Sequence, residues 1–327
     1  MRRAGVIILD ADGVLLDERP YWRIAMQTAL SVGGASVADF DWTALCAVAF
    51  DALAMQRLCK RRGCNSNWDL AAVLAAGVDD ALLRELRAPT PPDDLRPVLA
   101  DWARRVEDKW AGDQIAHGDP LAGFGIDRDG AFFRTVSGRF QRLLDDCDSE
   151  GVYDGSPCAV REPVAALRAV LGQLMEAGFD LRIYTGRTRP EIDTPLERLG
   201  FTEFFDREGI VAHEDIVAAQ ERLSCTGLGK PHWFGVVLAA LGETVADTVQ
   251  RGGDPPNCTD RRIYVGDAMA DFLAVQGSCA VGVELDYVHV RSGATDAAQE
   301  RYIAGRLRTT AVVDRLSEVP VRLGLVS

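Results

Sequence analysis

Near the start of the chain a short β-branched and aliphatic run, Val6-Ile7-Ile8-Leu9, stops at Asp10-Ala11-Asp12-Gly13-Val14. The run has no helical period, so it predicts a strand covered on both faces, as in a parallel sheet. Open α/β folds place their chemistry at the carboxyl ends of such strands. Asp10 and Asp12 stand at that end, and Gly13 predicts a sharp exit that lets both carboxylates converge. Crowded carboxylates repel, so the pair favours a bound cation or a shared proton. Alone, the same residues also serve as ordinary turn formers.

Three later stretches extend the pattern. Leu181-Arg182-Ile183-Tyr184 is an apolar strand running into Thr185-Gly186-Arg187. Gly227-Leu228-Gly229-Lys230-Pro231 puts a lysine just before a helix predicted to start at Pro231. Arg262-Ile263-Tyr264-Val265 runs into Gly266-Asp267-Ala268-Met269-Ala270-Asp271. Each has a plain alternative when taken singly. Thr185-Gly186 is then a turn, Lys230 a solvated lysine, and Asp267 and Asp271 a helix cap and a surface acid. In this order, however, they resemble the four motifs of the haloacid dehalogenase superfamily, the first of which is Asp-x-Asp-Gly-(Val/Thr). Members of that superfamily are mostly magnesium-dependent phosphatases.

Between the first two motifs lies far more chain than one crossover helix needs. Most of it has helical periodicity: Tyr21 to Leu30, Trp42 to Leu58, Trp68 to Leu74, Leu95 to Trp110 and Ala131 to Leu144. Residues 17–152 are therefore expected to be an inserted all-α domain, with joints near Asp17-Glu18-Arg19-Pro20 and Ser149-Glu150-Gly151. Its position resembles the helical cap that follows the first motif in part of the superfamily. Residues 1–16 and 153–327 are expected to form the α/β core, a Rossmann-like parallel sheet with helices on both faces, because strands and helices alternate from Gly155 onward. The predicted order is a helix over Glu162 to Ala177, the Leu181 strand, a helix from Pro190 to Leu199, a strand at Gly209 to Ala212 and a helix from Pro231 to Leu241. Then come an irregular loop over Thr244 to Arg261, the Arg262 strand, a helix over Asp271 to Val275 and a strand at Ala280 to Val283.

Phosphate-ester hydrolysis needs an in-line nucleophile, charge neutralisation and a proton for the leaving oxygen. Asp10 is the candidate nucleophile, forming an aspartyl-phosphate. Asp12 is placed to protonate the leaving group and then activate water. Magnesium is held by a few carboxylates while keeping waters and substrate oxygens. Asp10, Asp267 and the Asp12 carbonyl are the expected direct ligands, with Asp271 acting through water or by orienting them. Thr185 and the Gly186 amide would hold phosphate oxygens at a strand-to-helix junction. Lys230 would balance the carboxylates and stabilise the transferring group. The resemblance implies the same roles at each matched position. Superfamily members that cleave carbon–halogen or carbon–phosphorus bonds lack the second aspartate, so Asp12 points to ester chemistry.

Substrate choice is expected in the inserted domain. Lys60, Arg61, Arg62, Asn65 and Asn67 join two helices and could meet a polar, anionic leaving group. The favoured alternative is a basic helix end followed by an Asn/Ser cap. Arg134, Arg139 and Arg187 are similarly ambiguous, and the four histidines show no metal-ligand spacing. Lysine is rare, occurring only at positions 60, 109 and 230, which makes its presence in the third motif more telling.

The net charge of −13 argues against a nucleic-acid partner, and no apolar run is long enough to span a bilayer. The apolar start ends too early, at Asp10, for a signal peptide, so a cytoplasmic protein with reduced cysteines is expected. The expected substrate is a small phosphorylated metabolite. A phosphotransferase or sugar phosphomutase shares all four motifs, and a catalytically silent binding module is a third reading. Oligomeric state is not legible.

Overall fold

A computed structural model describes residues 4–53, 55–62, 64, 66–87, 92–110, 119–150, 160–257, 260–292, 295–306 and 310–325. The chain divides into two compact units, one formed by Met1–Asp17 and Pro157–Ser327 and the other by Glu18–Ser156. The expected joint at Ser149-Glu150-Gly151 runs into residues outside those described. Among the described residues no helix is long and apolar enough to cross a membrane.

The first unit is an α/β fold built on a parallel sheet of β1 (Gly5–Leu9), β2 (Phe179–Tyr184), β3 (Ile210–Val211), β4 (Arg261–Gly266), β5 (Asp286–Val290) and β6 (Thr310–Val313). The strand order is β3-β2-β1-β4-β5-β6. β1 is central: Leu9 is level with Ile183 of β2 on one side and with Val265 of β4 on the other. The connections reverse direction across the sheet between β1 and β4, where doubly wound sheets open a crevice beyond their carboxyl ends.

Alternation along the strands builds two cores. Ile7, Leu9, Ile183, Val265 and Val288 face the layer that includes helix Val164–Glu176. Ile8, Tyr184, Tyr264 and Tyr287 face the layer of helices Phe234–Leu241 and Met269–Ala280. Covered on both sides, the strands read as near-continuous apolar runs.

Several predicted elements are corrected. The helix expected from Pro231 begins at Phe234, because the chain first turns through Gly229–His232 and the His232 ring accepts the Phe234 N–H at 3.1 Å. The predicted loop over Thr244 to Arg261 contains helix Glu243–Gln250, which buries Ala246 and Val249 and whose Asp247 accepts both arms of Arg222. The strand expected at Ala280 to Val283 is the end of helix Met269–Ala280 and its closing turn, and the strand itself is Asp286–Val290. Small residues at Gly277 and Ser278 let that helix pack closely, with a Cβ at position 277 falling 3.1 Å from Trp233.

Every described element of the second unit is helical. The long helix predicted from Trp42 is instead Trp42–Cys46, a π-helical stretch Ala47–Ala52 and helix Met55–Arg61. Helix Asp80–Arg87, not predicted, buries Leu82, Leu83 and Leu86 on one face. The core of this unit is apolar and aromatic, with Trp102, Phe140 and Leu99 almost fully buried.

Candidate active site

Three adjacent strand ends assemble the site within the α/β unit. β1 delivers Asp10, whose N–H is fixed to the Val265 carbonyl at 2.9 Å. β2 delivers Thr185, Gly186 and Arg187. β4 delivers Asp267, and one helical turn later comes Asp271. The crevice of the sheet thus has Asp10 on one side and Asp267 on the other.

Gly13 makes the approach possible. Its φ is +76°, and an added Cβ would lie 2.0 Å from Asp267 Oδ2. The glycine that predicted a sharp exit therefore also clears room for a carboxylate from β4.

Asp10, Asp267 and Asp271 are all buried and can bring carboxylate oxygens within 4.8 Å of one another. Lys230 enters from the turn before helix Phe234–Leu241 and pairs with Asp10 Oδ1 at 2.8 Å and Asp271 Oδ1 at 2.7 Å. Its ammonium also faces the rings of Tyr184 and Tyr264, at 4.9 and 5.6 Å. Burial alone would lower the Lys230 pKa, but the two carboxylates outweigh it and raise it. Burial pushes Asp10 well above the usual carboxylate range, and its carboxylate neighbours, Asp271 first, add to this against the pull of Lys230. Asp271 is also buried, yet Lys230 and its hydrogen bonds bring it below the ordinary value.

Asp10 Oδ1 carries both hydrogen bonds of that carboxylate found among the described residues, from Lys230 and from the Ala11 N–H at 2.8 Å. Oδ2 is left for other partners. Asp271 is the opposite case. It receives the Tyr264 hydroxyl at 3.1 Å, the Asp267 N–H at 3.2 Å, the Ala268 N–H at 3.1 Å and Lys230. A carboxylate has about four acceptor positions, and here they are taken. Asp271 therefore orients the cluster and also caps helix Met269–Ala280; fully buried, it is not the surface acid of the plain alternative.

With all three carboxylates ionised, the one ammonium leaves two negative charges in a buried site, a repulsion that adds to burial in raising Asp10. Hard oxygen donors with that imbalance fit a divalent cation such as magnesium. Asp10 and Asp267 have the chemistry to hold it.

The remaining predicted residues fall into two groups. Thr185 is fully buried, with its N–H on the Val211 carbonyl at 3.0 Å and its hydroxyl accepting the Arg187 N–H at 3.1 Å. Gly186 is exposed, with no heavy atom within 4 Å of where a Cβ would stand. Asp12 does not join the carboxylate cluster by its side chain but meets the Arg187 guanidinium, Nη2 to Oδ1 at 2.6 Å. Lys60, Arg62 and Asn67 belong to the helical unit, where Lys60 pairs with Glu18 and lies 6.0 Å from the Trp22 ring centre. Ser66 caps helix Asn67–Ala76 by accepting the Asp69 N–H at 3.5 Å, as the structural alternative for this loop expects. Asn65 and the side chain of Arg61 lie outside the described residues.

Sequence reasoning missed one contributor and the burial of one histidine. Ser292, after β5, donates its hydroxyl to Asp267, and misplacing that strand hid it. His289 is fully buried between Tyr287 and Thr295, with its Nε2 2.8 Å from the Thr295 hydroxyl. Burial lowers its pKa to about 4, so its ring is neutral.

No protein-family model and no curated protein sequence matches the chain. Solved structures do. A structural-genomics target matches 98% of this chain over 98% of its own, with 18% identity and a TM-score of 0.63. A protein named as a phosphoglycolate phosphatase, from Lactobacillus delbrueckii subsp. bulgaricus, matches 99% of each chain with 14% identity and a TM-score of 0.51. A haloacid dehalogenase-like hydrolase from Bacteroides fragilis matches 96% of this chain and 98% of its own, with 14% identity and a TM-score of 0.49. The chain shares its fold with the first two of these structures. In this sheet the four stretches quoted from the sequence meet at one end, the end that carries the buried carboxylates.

Proposed function

We propose that the protein is a magnesium-dependent phosphatase that hydrolyses a small phosphorylated metabolite through an aspartyl-phosphate on Asp10. The observation that carries this reading is the asymmetry of Asp10: Oδ1 is pinned by Lys230 and the Ala11 amide, while Oδ2 faces no described donor. A buried carboxylate held by one oxygen is oriented to attack with the other.

Asp10, Asp267 and the Asp12 carbonyl would hold the magnesium ion, with Asp271 orienting them. When bound, the ion neutralises the phosphoryl oxygens and the carboxylate cluster. Lys230 adds a fixed positive charge beside Asp10. Thr185 and the Gly186 N–H, which stands open at its strand end, bind the remaining phosphoryl oxygens. Asp10 Oδ2 forms the bond to phosphorus as the ester bond breaks, and Asp12 gives its proton to the leaving oxygen. Asp12 then takes a proton from water, which attacks phosphorus and releases Asp10 and phosphate. The helical unit Glu18–Ser156, with Lys60, Arg61, Arg62, Asn65 and Asn67 as candidates, selects the leaving group.

The test is phosphate release from a panel of phosphorylated metabolites with magnesium or with EDTA. Magnesium-dependent release confined to one chemical family, and lowered at least about 10⁴-fold in Asp10→Asn without loss of the folded state, is expected. Residual turnover in Asp10→Asn would remove Asp10 as the nucleophile. Isomerisation of a sugar phosphate without free phosphate would replace hydrolysis by phosphoryl transfer to a sugar.

A further inference from the structure

One buried cation of the α/β unit is not explained by the charge balance around Asp10. Arg187 is 3% exposed, yet the carboxylate it meets, on Asp12, keeps 22% of its side-chain surface. The contact is a fork, with Nη2 2.6 Å from Oδ1 and Nε 3.1 Å from Oδ2. The base of the fork is fixed on every side the structure describes. Nη1 donates to the Glu191 carbonyl at 3.2 Å, the Arg187 N–H to Thr185 Oγ1 at 3.1 Å, and the Arg187 carbonyl accepts the His213 N–H at 2.9 Å. Asp12 itself sits in a tight turn closed by Gly13 N–H to Leu16 O at 2.8 Å and Leu16 N–H to Ala11 O at 2.8 Å.

Removing a guanidinium from water is expensive, and an acid that stays partly wet returns little of that cost. Other arginine pairs of the unit keep more of the side chain in water, such as 22% for Arg182 and Arg189 and 48% for Arg291, against 1% for Arg187. Stability is therefore a poor account of Arg187. Geometry is a better one. A rigid fork fixes both the position and the plane of a carboxylate, which a lysine cannot do.

We propose that Arg187 is a positioning residue for Asp12: its fork holds the Asp12 carboxyl where it meets the leaving oxygen of the ester. This deepens the phosphatase reading and rests on it. In the first half-reaction the Asp10 Oδ2–phosphorus bond forms, the phosphorus–oxygen ester bond breaks, and the Asp12 proton passes to the departing alkoxide. Negative charge appears on Asp12 as that proton leaves, and the two N–H groups are already aimed at the oxygens that receive it. In the second half-reaction Asp12 takes one proton from the attacking water, and the fork presents it on the same line.

A leaving-group series tests the assignment, since only proton donation depends on how basic the departing oxygen is. kcat/KM is measured for p-nitrophenyl phosphate and for simple alkyl phosphates with wild type, Arg187→Met, Arg187→Lys, Asp12→Asn and Arg187→Met with Asp12→Asn. Arg187→Met is expected to lose about 100-fold on alkyl esters and less than about fivefold on the p-nitrophenyl ester. The double variant is expected to be no worse than Asp12→Asn, because residues acting as a unit are not additive. Arg187→Lys is expected to fall between wild type and Arg187→Met, and it carries the same comparison if Arg187→Met does not fold. Equal losses on all esters, multiplied losses in the double variant, or full activity in Arg187→Lys would each overturn the positioning role while leaving the phosphatase reading intact. A wild type that releases phosphate from no ester would instead defeat that reading, and this inference with it.

Discussion

The two units bury different things. In the α/β unit Asp10, Arg187, Asp267 and Asp271 are each less than a tenth exposed. In the helical unit the buried side chains are almost all apolar or aromatic, and among the described residues Asp69 is the one buried acid, answered by Arg128 at 2.6 Å. The difference follows from the backbone. A strand end leaves N–H groups that welcome carboxylates, and adjacent parallel strands bring several such ends together. A helix satisfies its own backbone, so its core asks for shape and volume rather than charge. One unit is therefore specified by which charges it holds, the other by which volumes it fills.

That contrast can be broken most severely at Lys230. Lys230→Met leaves Asp10 and Asp271 facing each other without their shared cation, and the expected cost is about 3–5 kcal/mol of stability. Urea unfolding measures it, and added magnesium should restore part of the loss by binding the folded state. A variant as stable as wild type would show that charge does not specify this unit.

His289 gives the next effect, through pH. Its pKa falls from 6.5 to about 4 on folding, so above pH 6.5 the ring is neutral in both states and its full contribution is present. Between pH 6.5 and 4 the unfolded chain binds a proton that the folded chain refuses, and stability falls by at most ~3 kcal/mol. Unfolding midpoints at pH 7.5 and 5 should differ less in His289→Gln than in wild type, and an equal difference would defeat the assignment.

The smallest effect lies in the helical unit. Arg128 is nearly half exposed, so Arg128→Met should cost only about 1–2 kcal/mol, mostly from leaving Asp69 buried and unanswered. Removing Asp69 as well, by Asp69→Asn, should recover part of that loss in the same unfolding measurement. A larger loss than at Lys230 would reverse the contrast between the units.

Legibility followed the same divide. The apolar runs of β1, β2 and β4 and the residues at their ends could be read because burial on both faces leaves a continuous pattern. β5 could not, since small residues at Gly277 and Ser278 disguised a helix end as a loop and strand. Ser292 was lost with it. Arg187 stood in plain view, but its partner is remote in sequence, and nothing local marks an arginine as buried. In the helical unit periodicity located helices yet missed the π-helical break at Ala47–Ala52, where packing overrides a uniform pattern.

Asp271 has a consequence for how such a chain can change over generations. The residue that steadies Lys230 is also the one that receives the Asp267 and Ala268 N–H groups at the head of helix Met269–Ala280. Asp10 is held by a single oxygen, so its exchange for the amide is expected to harm the scaffold less. A descendant released from selection on turnover would therefore shed Asp10 early and keep Asp271 long after. The aspartate that survives in such a lineage would record the needs of folding, and a chemist who took its presence as proof of activity would be misled.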